Sequence, residues 1–283
     1  MKRILILLAS LAFPLIAGAQ AQINTKKIKI SDFTGKVTKV VLTGNAFYDS
    51  SLKDEIASRW RISPYEFCTT EEFNSLKENS EYYFLITASG RFKKEDTPGI
   101  TFLTLVKGGP KAAFGIDEML EVVSMPLCPA ENPSGRELVF LPAFIDIIQQ
   151  YTLDSMERDL SGYTGLSNYT LNMPKSGGMD IIFAEEDLNS EITRTFRDTH
   201  FDSSISVTDE DSADEYMIEN EPNVLVSYTV APDCPQPGSY CYKMLINTST
   251  HEIYYYRRHR IGKKTGPGFL PEDLKRIISY RGH

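Results

Sequence analysis

The segment with the clearest capacity for chemistry is a dense group of cations near the carboxyl end of the chain. Five permanent cations occur within eight residues and directly follow three consecutive tyrosines. The cations are Arg257, Arg258, Arg260, Lys263 and Lys264, and the outer two tyrosines are Tyr254 and Tyr256. Arginine forks suit phosphate or carboxylate, and tyrosine rings add a flat stacking surface. These residues form a candidate site for an anion or an acidic partner. The alternative interpretation is a strand end whose solvated cations offset an acidic chain.

Two other charged patterns do not match the binding motifs that they resemble. Gly262-Lys263-Lys264-Thr265 is similar to the end of a phosphate-binding loop, but Arg257 stands where that motif needs its first glycine. An acidic run over 209–221 has no glycine for the sharp turn of a calcium loop. Carboxylates there are typical of a helix start, where they favour the helix dipole. An attraction between this run and the cations of 257–264 is a further hypothesis.

Sequence motifs for metal binding and catalysis are missing. The histidines have no second histidine or cysteine at the close spacings of zinc sites, and there is no GxSxG elbow or SxxK motif. We therefore predict no metal, no cofactor and no catalytic residue. Two carboxylates from distant positions can still meet in a cleft, as glycosidases require, and this keeps a hydrolase open as an alternative.

Four cysteines occur in the chain, and they allow three disulfide pairings. Cys234 and Cys241 flank a Pro-Gln-Pro-Gly sequence that is typical of a turn between two strands. We predict a structural disulfide between them that closes a hairpin. The pairing of Cys68 and Cys128 stays open at this point.

Residues 1–21 have the organisation of a cleavable export signal. Lys2 and Arg3 form the charged start, an apolar run covers 4–16, and Ala17-Gly18-Ala19 gives the small-residue cleavage pattern. The apolar run is shorter than the roughly 20 residues of a membrane span, and no later stretch is long enough. Cleavage removes two cations and changes the formal charge from -8 to -10, which argues against nucleic acid as a partner. We predict a soluble periplasmic or secreted protein without a transmembrane segment.

The chain contains an internal duplication of its apolar pattern. Residues 28–116 lie over residues 168–256 at a constant spacing of 140 positions, with few identities. The corresponding segments are Val41-Leu42 and Ile181-Ile182, Leu52 and Ile192, Phe84-Leu85-Ile86 and Val224-Leu225-Val226, and, after a slip of eleven residues, Phe140-Leu141-Pro142 and Phe269-Leu270-Pro271. Because core positions recur and polar side chains do not, the duplication predicts architecture and no reaction.

Each copy has the pattern strand, helix, strand, helix, strand hairpin and closing helix. Because strands alternate with helices early and a hairpin comes late, we predict two tandem α/β units, each a mixed sheet with helices packed on it. The first unit covers 22–160 and the second covers 179–283. A linker over 161–178 is rich in Gly, Ser, Asn and Pro and includes a candidate edge strand at Tyr169 to Leu171.

Helix spacing and strand alternation give further local predictions. The fifth strand of the first unit falls at either Ala112 to Ile116 or Met119 to Ser124, and the first helix of the second unit is predicted at Asn189 to Arg197.

Two pairs of tyrosines alternate on strands, so each pair is predicted to point to one face of the sheet. These pairs are Tyr240 with Tyr242 and Tyr254 with Tyr256. Such a row suits glycan rings, but burial in the core or between the units is the favoured interpretation.

The order of elements around residues 79–90, NSEYYFLITASG, resembles small α/β units of cell-envelope proteins. These are the TolB amino-terminal domain and the CsgG and LpoB group of outer-membrane factors. The resemblance covers about 50 residues of each unit and consists of pattern without an invariant motif. It implies a binding or assembly role in the envelope without catalysis. The chain departs from that group because it has no lipobox cysteine and no β-propeller.

The sequence as a whole predicts an exported, non-catalytic binding or assembly protein of the bacterial cell envelope. The missing catalytic motifs and the export signal motivate this prediction, and an envelope protein or glycan is the expected partner. One alternative is an envelope hydrolase for glycan or peptide with carboxylates in the cleft between the units. Another alternative is a structural scaffold that self-associates through the tyrosine strands.

Overall fold

The computed structural model describes residues 30–92, 94–157, 165–263 and 265–281. Within them the chain forms two similar α/β units in tandem, each built on a five-stranded mixed sheet. The predicted fold class is therefore confirmed. The predicted signal peptide, 1–21, lies outside the described residues and stays a prediction.

The first unit alternates strands and helices before it closes with a hairpin and a long helix. Its elements are β1 (Val37–Val41), α1 (Ala46–Arg59), β2 (Tyr65–Cys68), α2 (Thr70–Leu76), β3 (Tyr82–Gly90), β4 (Ile100–Lys107), β5 (Leu120–Pro129), α3 (Arg136–Val139) and α4 (Leu141–Glu157). The sheet order is β2-β1-β3-β4-β5, with β1 parallel to β2 and β3 and the later pairs antiparallel. The fifth strand thus takes the Met119 to Ser124 alternative, whereas Ala112 to Ile116 lies in short 3-10 turns.

The second unit repeats this arrangement. Its elements are β6 (Asp180–Ala184), α5 (Arg194–His200), β7 (Ile205–Thr208), α6 (Glu210–Ile218), β8 (Val224–Val230), β9 (Tyr240–Asn247), β10 (Ile253–Arg260) and α7 (Pro271–Arg281). The sheet order is β7-β6-β8-β9-β10, with β6 parallel to β7 and β8 and the later pairs antiparallel. Strand order and strand direction therefore agree with those of the first unit, as the duplication predicts.

The predicted edge strand at Tyr169 to Leu171 is wrong. These residues belong to a 3-10 helix, Gly165–Ser176, which lies along β10 and is called the 3-10 segment below. The hydroxyl of Thr170 hydrogen-bonds both the N–H and the C=O of Tyr256, and Asn172 Nδ2 donates to a carbonyl of the same strand. Side chains of the 3-10 segment thus hydrogen-bond backbone groups at the edge of β10, and these groups are satisfied without a neighbouring strand.

Helix α4 packs on β5 and α1 of the first unit and also contacts the second unit. Ten of its 17 residues are buried, and most of these are apolar, as expected for a helix with a wide apolar face. Phe144 and the preceding Phe140 contact Tyr228 of β8, with ring centroids 5.2 and 4.4 Å apart. Tyr228 Oη also donates to the carbonyl of Leu127 in β5 at 2.6 Å. One apolar cluster therefore contains residues of both units, and a second cluster lies between the second sheet and α7.

The predicted disulfide between Cys234 and Cys241 is not formed, and all four cysteines are free. Cys241 points into the core, where its sulfur accepts a hydrogen bond from the N–H of Gly268 at 3.2 Å. Cys234 is exposed in the connection before β9. Because one side chain points into the core and the other into solvent, the turn does not bring the two sulfurs together. Cys68 and Cys128 are buried and free as well.

Candidate functional site

The tyrosines of the predicted anion site are divided between the two faces of the second sheet. A β-bulge between Ile253 and Tyr255 interrupts the pairing of β10 with β9. A bulge adds one residue and so reverses the sense of the alternation beyond it. As a result Tyr256 lies in the core shared by the units, whereas Tyr254 lies in the cluster beneath α7. The prediction that these two tyrosines share a face is therefore wrong.

The cations of the predicted site are divided in the same way. Arg258 and Arg260 are exposed and contact tyrosines of β9, whereas Arg257 contacts α7 on the opposite face. Lys263 is exposed in the turn after β10, and Lys264 lies outside the described residues. The structure thus brings together only part of the predicted site.

Arg257 belongs to a partly buried ion network. Its Nη1 lies 3.0 Å from carboxylate oxygens of both Glu272 and Asp273. Asp273 also pairs with the buried Lys243 and accepts a hydrogen bond from Tyr255 Oη at 2.6 Å. Burial acts to raise the pKa of Asp273, but Lys243 and the hydrogen bonds hold that pKa below its usual value. Because each charge in this network has a partner, the network holds α7 against the sheet and leaves no charge free to bind a ligand.

Arg258 and Arg260 form a ladder with two tyrosines of β9. Arg258 lies opposite Tyr242 in the hairpin register, and Arg260 lies opposite Tyr240. Both guanidinium groups lie over the Tyr240 ring, 5.1 and 5.4 Å from its centroid. Arg258 donates to Tyr242 Oη at 3.3 Å, and Arg260 donates to Tyr240 Oη at 3.1 Å. These four residues are called the Arg–Tyr ladder.

The Arg–Tyr ladder carries positive charge without a matching negative charge. Cation–π contacts and phenol hydrogen bonds hold Arg258 and Arg260 in place without neutralising them. Within the parts of the chain that the structure describes, no carboxylate forms an ion pair with either guanidinium, in contrast to Arg257. Two ordered and exposed guanidinium groups therefore remain able to accept an anion.

Aromatic residues of the first unit pack against the Arg–Tyr ladder. The ring of Phe92 lies 4.8 Å from that of Tyr240, and the ring of Phe102 lies 5.7 Å from that of Tyr242. The β9 tyrosines thus lie where the two units meet, as the favoured interpretation of the tyrosine row expects. Burial raises the pKa of Tyr242 although Arg258 opposes the shift, so this phenol is neutral at physiological pH.

A cleft of about 1080 Å³ opens between the two units beside the Arg–Tyr ladder. Strands β3, β4 and β5 form one wall, and β9, β10 and the start of the 3-10 segment form the other. Side chains that line it include Arg91, Phe92, Phe102, Thr104, Glu121, Ser124, Tyr242, Tyr256 and Arg258. The cleft therefore combines aromatic side chains with a cation, Arg258, and its volume lies just above the range of ligand pockets, on the order of 300–1,000 Å³.

The cleft also contains the carboxylates that the hydrolase alternative needs. Asp117 and Glu121 both line it, and both are exposed to solvent. A general acid usually requires burial that keeps its proton in place near neutral pH. Because both side chains are exposed, neither has the burial that a general acid needs. In the ranges that the structure covers, no three His, Cys, Asp or Glu residues are grouped to hold a metal ion.

The arrangement closest to a nucleophile with a base is a cysteine and a histidine in the β9–β10 hairpin. Cys241 and His259 lie opposite each other in the register. Burial raises the pKa of Cys241 to about 12, so the side chain is a thiol and a poor nucleophile at neutral pH. His259 Nε2 lies 2.9 Å from the carbonyl oxygen of Gly266. The two side chains therefore have structural roles.

Sequence reasoning missed a buried charge cluster that joins the two units. Arg136 of α3 donates to carboxylates of Asp187 at 3.0 Å and Asp214 at 2.8 Å, and to the carbonyl of Ser227 at 2.9 Å. Its guanidinium also lies 5.0 Å from the centroid of the Tyr228 ring. Burial acts to lower the pKa of Arg136, but the two carboxylates raise it, so the charge persists. No local pattern marks this arginine, because its partners are 51, 78 and 91 positions away.

The acidic run begins helix α6 as predicted. Asp209 caps the helix by accepting a hydrogen bond from the N–H of Ser212 at 2.9 Å. Glu210 and Asp214 of the same run face Arg136. In the described part of the chain no ion pair joins this run to the cations of 257–263, because Glu210 and Asp214 pair with Arg136 while Arg257 pairs with α7.

No protein-family model, curated protein or solved structure gives a significant match to this chain. The helices in the described ranges are too short or too polar to cross a membrane.

Proposed function

We propose that this protein is an exported, non-catalytic binding or assembly protein of the bacterial cell envelope, which binds an anionic envelope component at the Arg–Tyr ladder. The observation that carries the proposal is the pair of exposed guanidinium groups of Arg258 and Arg260, which have no carboxylate partner in the described residues. Arg258 lines the cleft, and Arg260 lies two positions further along the same strand. The aromatic side chains of the cleft and the junction of two units support a binding site at this place.

The chemistry of the ladder favours phosphate or carboxylate over a neutral ligand. Arg258 and Arg260 lie two positions apart on one strand and share a tyrosine ring, so both can contact one anionic segment. The aromatic contacts fix their orientation before a ligand arrives, which lowers the entropy lost on binding. A component that carries two or more acidic groups fits this spacing best.

The envelope location rests on the amino-terminal sequence and on the resemblance to envelope α/β units. Lys2 and Arg3, the apolar run over 4–16 and the Ala17-Gly18-Ala19 sequence support export. The strand and helix order that resembles the TolB amino-terminal domain and the CsgG and LpoB group supports a binding or assembly role over catalysis.

Binding of radiolabelled protein to isolated envelope fractions tests this proposal. The double variant Arg258→Glu/Arg260→Glu is expected to lose at least tenfold in apparent affinity, since a hydrogen bond to a charged group contributes about 1.5–3 kcal/mol. The matched control is Arg194→Glu/Arg276→Glu, an equal charge change at two exposed arginines, one in α5 and one in α7, that do not line the cleft. Equal binding by the double variant and the control would contradict the proposal.

The hydrolase alternative keeps one specific observation in its favour, which is the pair of carboxylates in the cleft. If Glu121 or Asp117 acts in catalysis, Glu121→Gln or Asp117→Asn abolishes turnover of an envelope glycan or peptide while leaving envelope binding intact. The scaffold alternative requires tyrosines that are exposed for self-association, but Tyr242, Tyr254 and Tyr256 are buried within one chain.

A further inference from the structure

Strand β10 is an edge of the second sheet, and only part of that edge is covered. Among the described strands, β9 lies on one side of β10 and none lies on the other. Thr170 of the 3-10 segment donates to the carbonyl of Tyr256 at 3.0 Å and accepts from its N–H at 3.1 Å. Asn172 covers the carbonyl of Ile253 at 2.9 Å. These side chains replace a neighbouring strand along the first half of β10.

In the part of the chain that the structure describes, no side chain covers the second half of the edge in this way. Backbone groups of a strand point alternately to its two sides, so the N–H and C=O of Arg258 and Arg260 point the same way as those of Tyr256. Among the described residues none bonds these outward groups, and both arginines are exposed. The cleft lies directly beside this stretch, because its lining includes Tyr256, Arg258 and Gly165 at the start of the 3-10 segment. This stretch of β10 therefore offers an additional strand both unpaired backbone groups and the space beside them.

We infer that the exposed half of the β10 edge binds an extended acidic segment of a partner protein as a sixth strand of the second sheet. The inference rests on the proposed function and names the partner of the same site. Added strands gain affinity from main-chain hydrogen bonds and specificity from alternate side chains. Carboxylates two positions apart on the incoming strand lie opposite Arg258 and Arg260, with the spacing that the cross-strand register gives.

Charge selects this occupant over a second copy of the chain. Two β10 edges that pair with each other place arginine against arginine or close to it, and like charges directly opposite are destabilising. Charged side chains at an edge normally prevent indiscriminate strand pairing. An acidic strand turns the same charges into ion pairs, so the edge excludes neutral and basic strands and accepts an acidic one.

A synthetic peptide in which glutamate alternates with threonine tests this inference by fluorescence anisotropy at low ionic strength. The wild-type protein is expected to bind it, and Arg258→Glu/Arg260→Glu to bind at least tenfold more weakly. The double variant is expected to bind the matching lysine–threonine peptide instead. Arg194→Glu/Arg276→Glu changes the net charge by the same amount, serves as the control for charge and should bind the acidic peptide like the wild type.

Backbone methylation separates strand addition from simple charge attraction. One peptide carries N-methyl groups on the glutamate amides and another carries them on the threonine amides, so that charge is the same in both. Strand addition predicts that one of the two loses at least tenfold in affinity and the other does not, because only alternate amides face β10. Equal affinity of the two methylated peptides, or no binding of the unmethylated one, would overturn the inference. If envelope binding still depends on the two arginines, the proposed function survives that failure.

Discussion

At the scale of single residues, Arg136 joins the two units through a buried charge cluster. Its guanidinium is the charge that faces the buried carboxylates of Asp187 and Asp214. Removal of one partner from a buried ion cluster costs about 3–5 kcal/mol, because the remaining charges stay buried without compensation. We expect Arg136→Met to lower the free energy of unfolding by that amount in urea titrations.

The control for this prediction is Arg194→Met, which removes an exposed arginine with one long surface ion pair. Surface pairs contribute roughly 0–1 kcal/mol, so its unfolding curve should stay close to that of the wild type. If Arg136→Met unfolds at the same urea concentration as the control, the buried cluster does not join the units as described.

The same cluster predicts a pH dependence of stability. Burial raises the pKa of Asp214 to about 6, although Arg136 opposes this shift. A raised folded-state pKa favours the protonated form, so this contribution to stability is complete below about pH 4 and is lost as the pH rises through 6. We expect Asp214→Asn to remove this part of the pH dependence, on the order of 1–3 kcal/mol between pH 4 and 7.

Urea titrations of the wild type and Asp214→Asn at a series of pH values measure this difference. Asp198→Asn, at an exposed position of α5, is the matched control and should follow the wild type. A variant Asp214→Asn that shows the same pH profile as the wild type would contradict the assignment.

Residue-level function was only partly predictable from the sequence. The clustering of Arg258, Arg260 and Tyr256 was visible in the local sequence, and the structure brings these three to one face. The bulge that turns Tyr254 to the other face has no glycine to mark it, and Arg257 finds its partners in a helix beyond the strand. Which side chains of β10 lie on which face therefore depends on strand pairing and helix packing, which the local sequence does not show.

At the scale of elements, most strands of the two sheets were predictable, whereas the edge strand predicted at Tyr169 to Leu171 and the start of one helix were not. The helix predicted at Asn189 to Arg197 begins five residues later, as α5 at Arg194, and a short 3-10 turn, Glu185–Asp187, precedes it. The reason lies in Asp187, whose carboxylate accepts hydrogen bonds from Ser227, Thr229 and Arg136. These contacts hold the chain in a turn, and Ile192, the counterpart of Leu52 in α1, lies in the loop before α5. Long-range polar contacts here override the local helix pattern.

The covering of the β10 edge gives a prediction at the same scale. Thr170→Val keeps the size of the side chain but removes the hydroxyl that bonds both backbone groups of Tyr256. Unsatisfied buried polar groups cost about 1–3 kcal/mol, so we expect a loss of that order in the free energy of unfolding. Thr199→Val, whose exposed hydroxyl bonds only its own helix, should have little effect. Equal stability of the two variants would show that the 3-10 segment does not satisfy the edge.

At the scale of the whole molecule, duplication predicted two similar sheets but not how they join. The repeated apolar pattern indicates which positions of each unit are buried, and both sheets have the same strand order. It does not indicate that Phe144 of α4 contacts Tyr228 of the second sheet or that Tyr228 bonds the carbonyl of Leu127. Contacts between units differ in the two copies, so they leave no repeated signal. The sequence placed a cleft between the units only as part of the hydrolase alternative, and the side chains that line the cleft could not be predicted because they depend on these contacts.

The central claim is that an anionic envelope component binds in the cleft between the units, along β10. Hydrogen–deuterium exchange of the protein with and without solubilised envelope extract tests it most directly. We expect protection confined to the cleft walls, above all β10 (Ile253–Arg260) and β3 (Tyr82–Gly90), and no change when Arg258→Glu/Arg260→Glu is used. Binding that protects only α5 and α6, or protection of β10 that persists in the double variant, would contradict the claim.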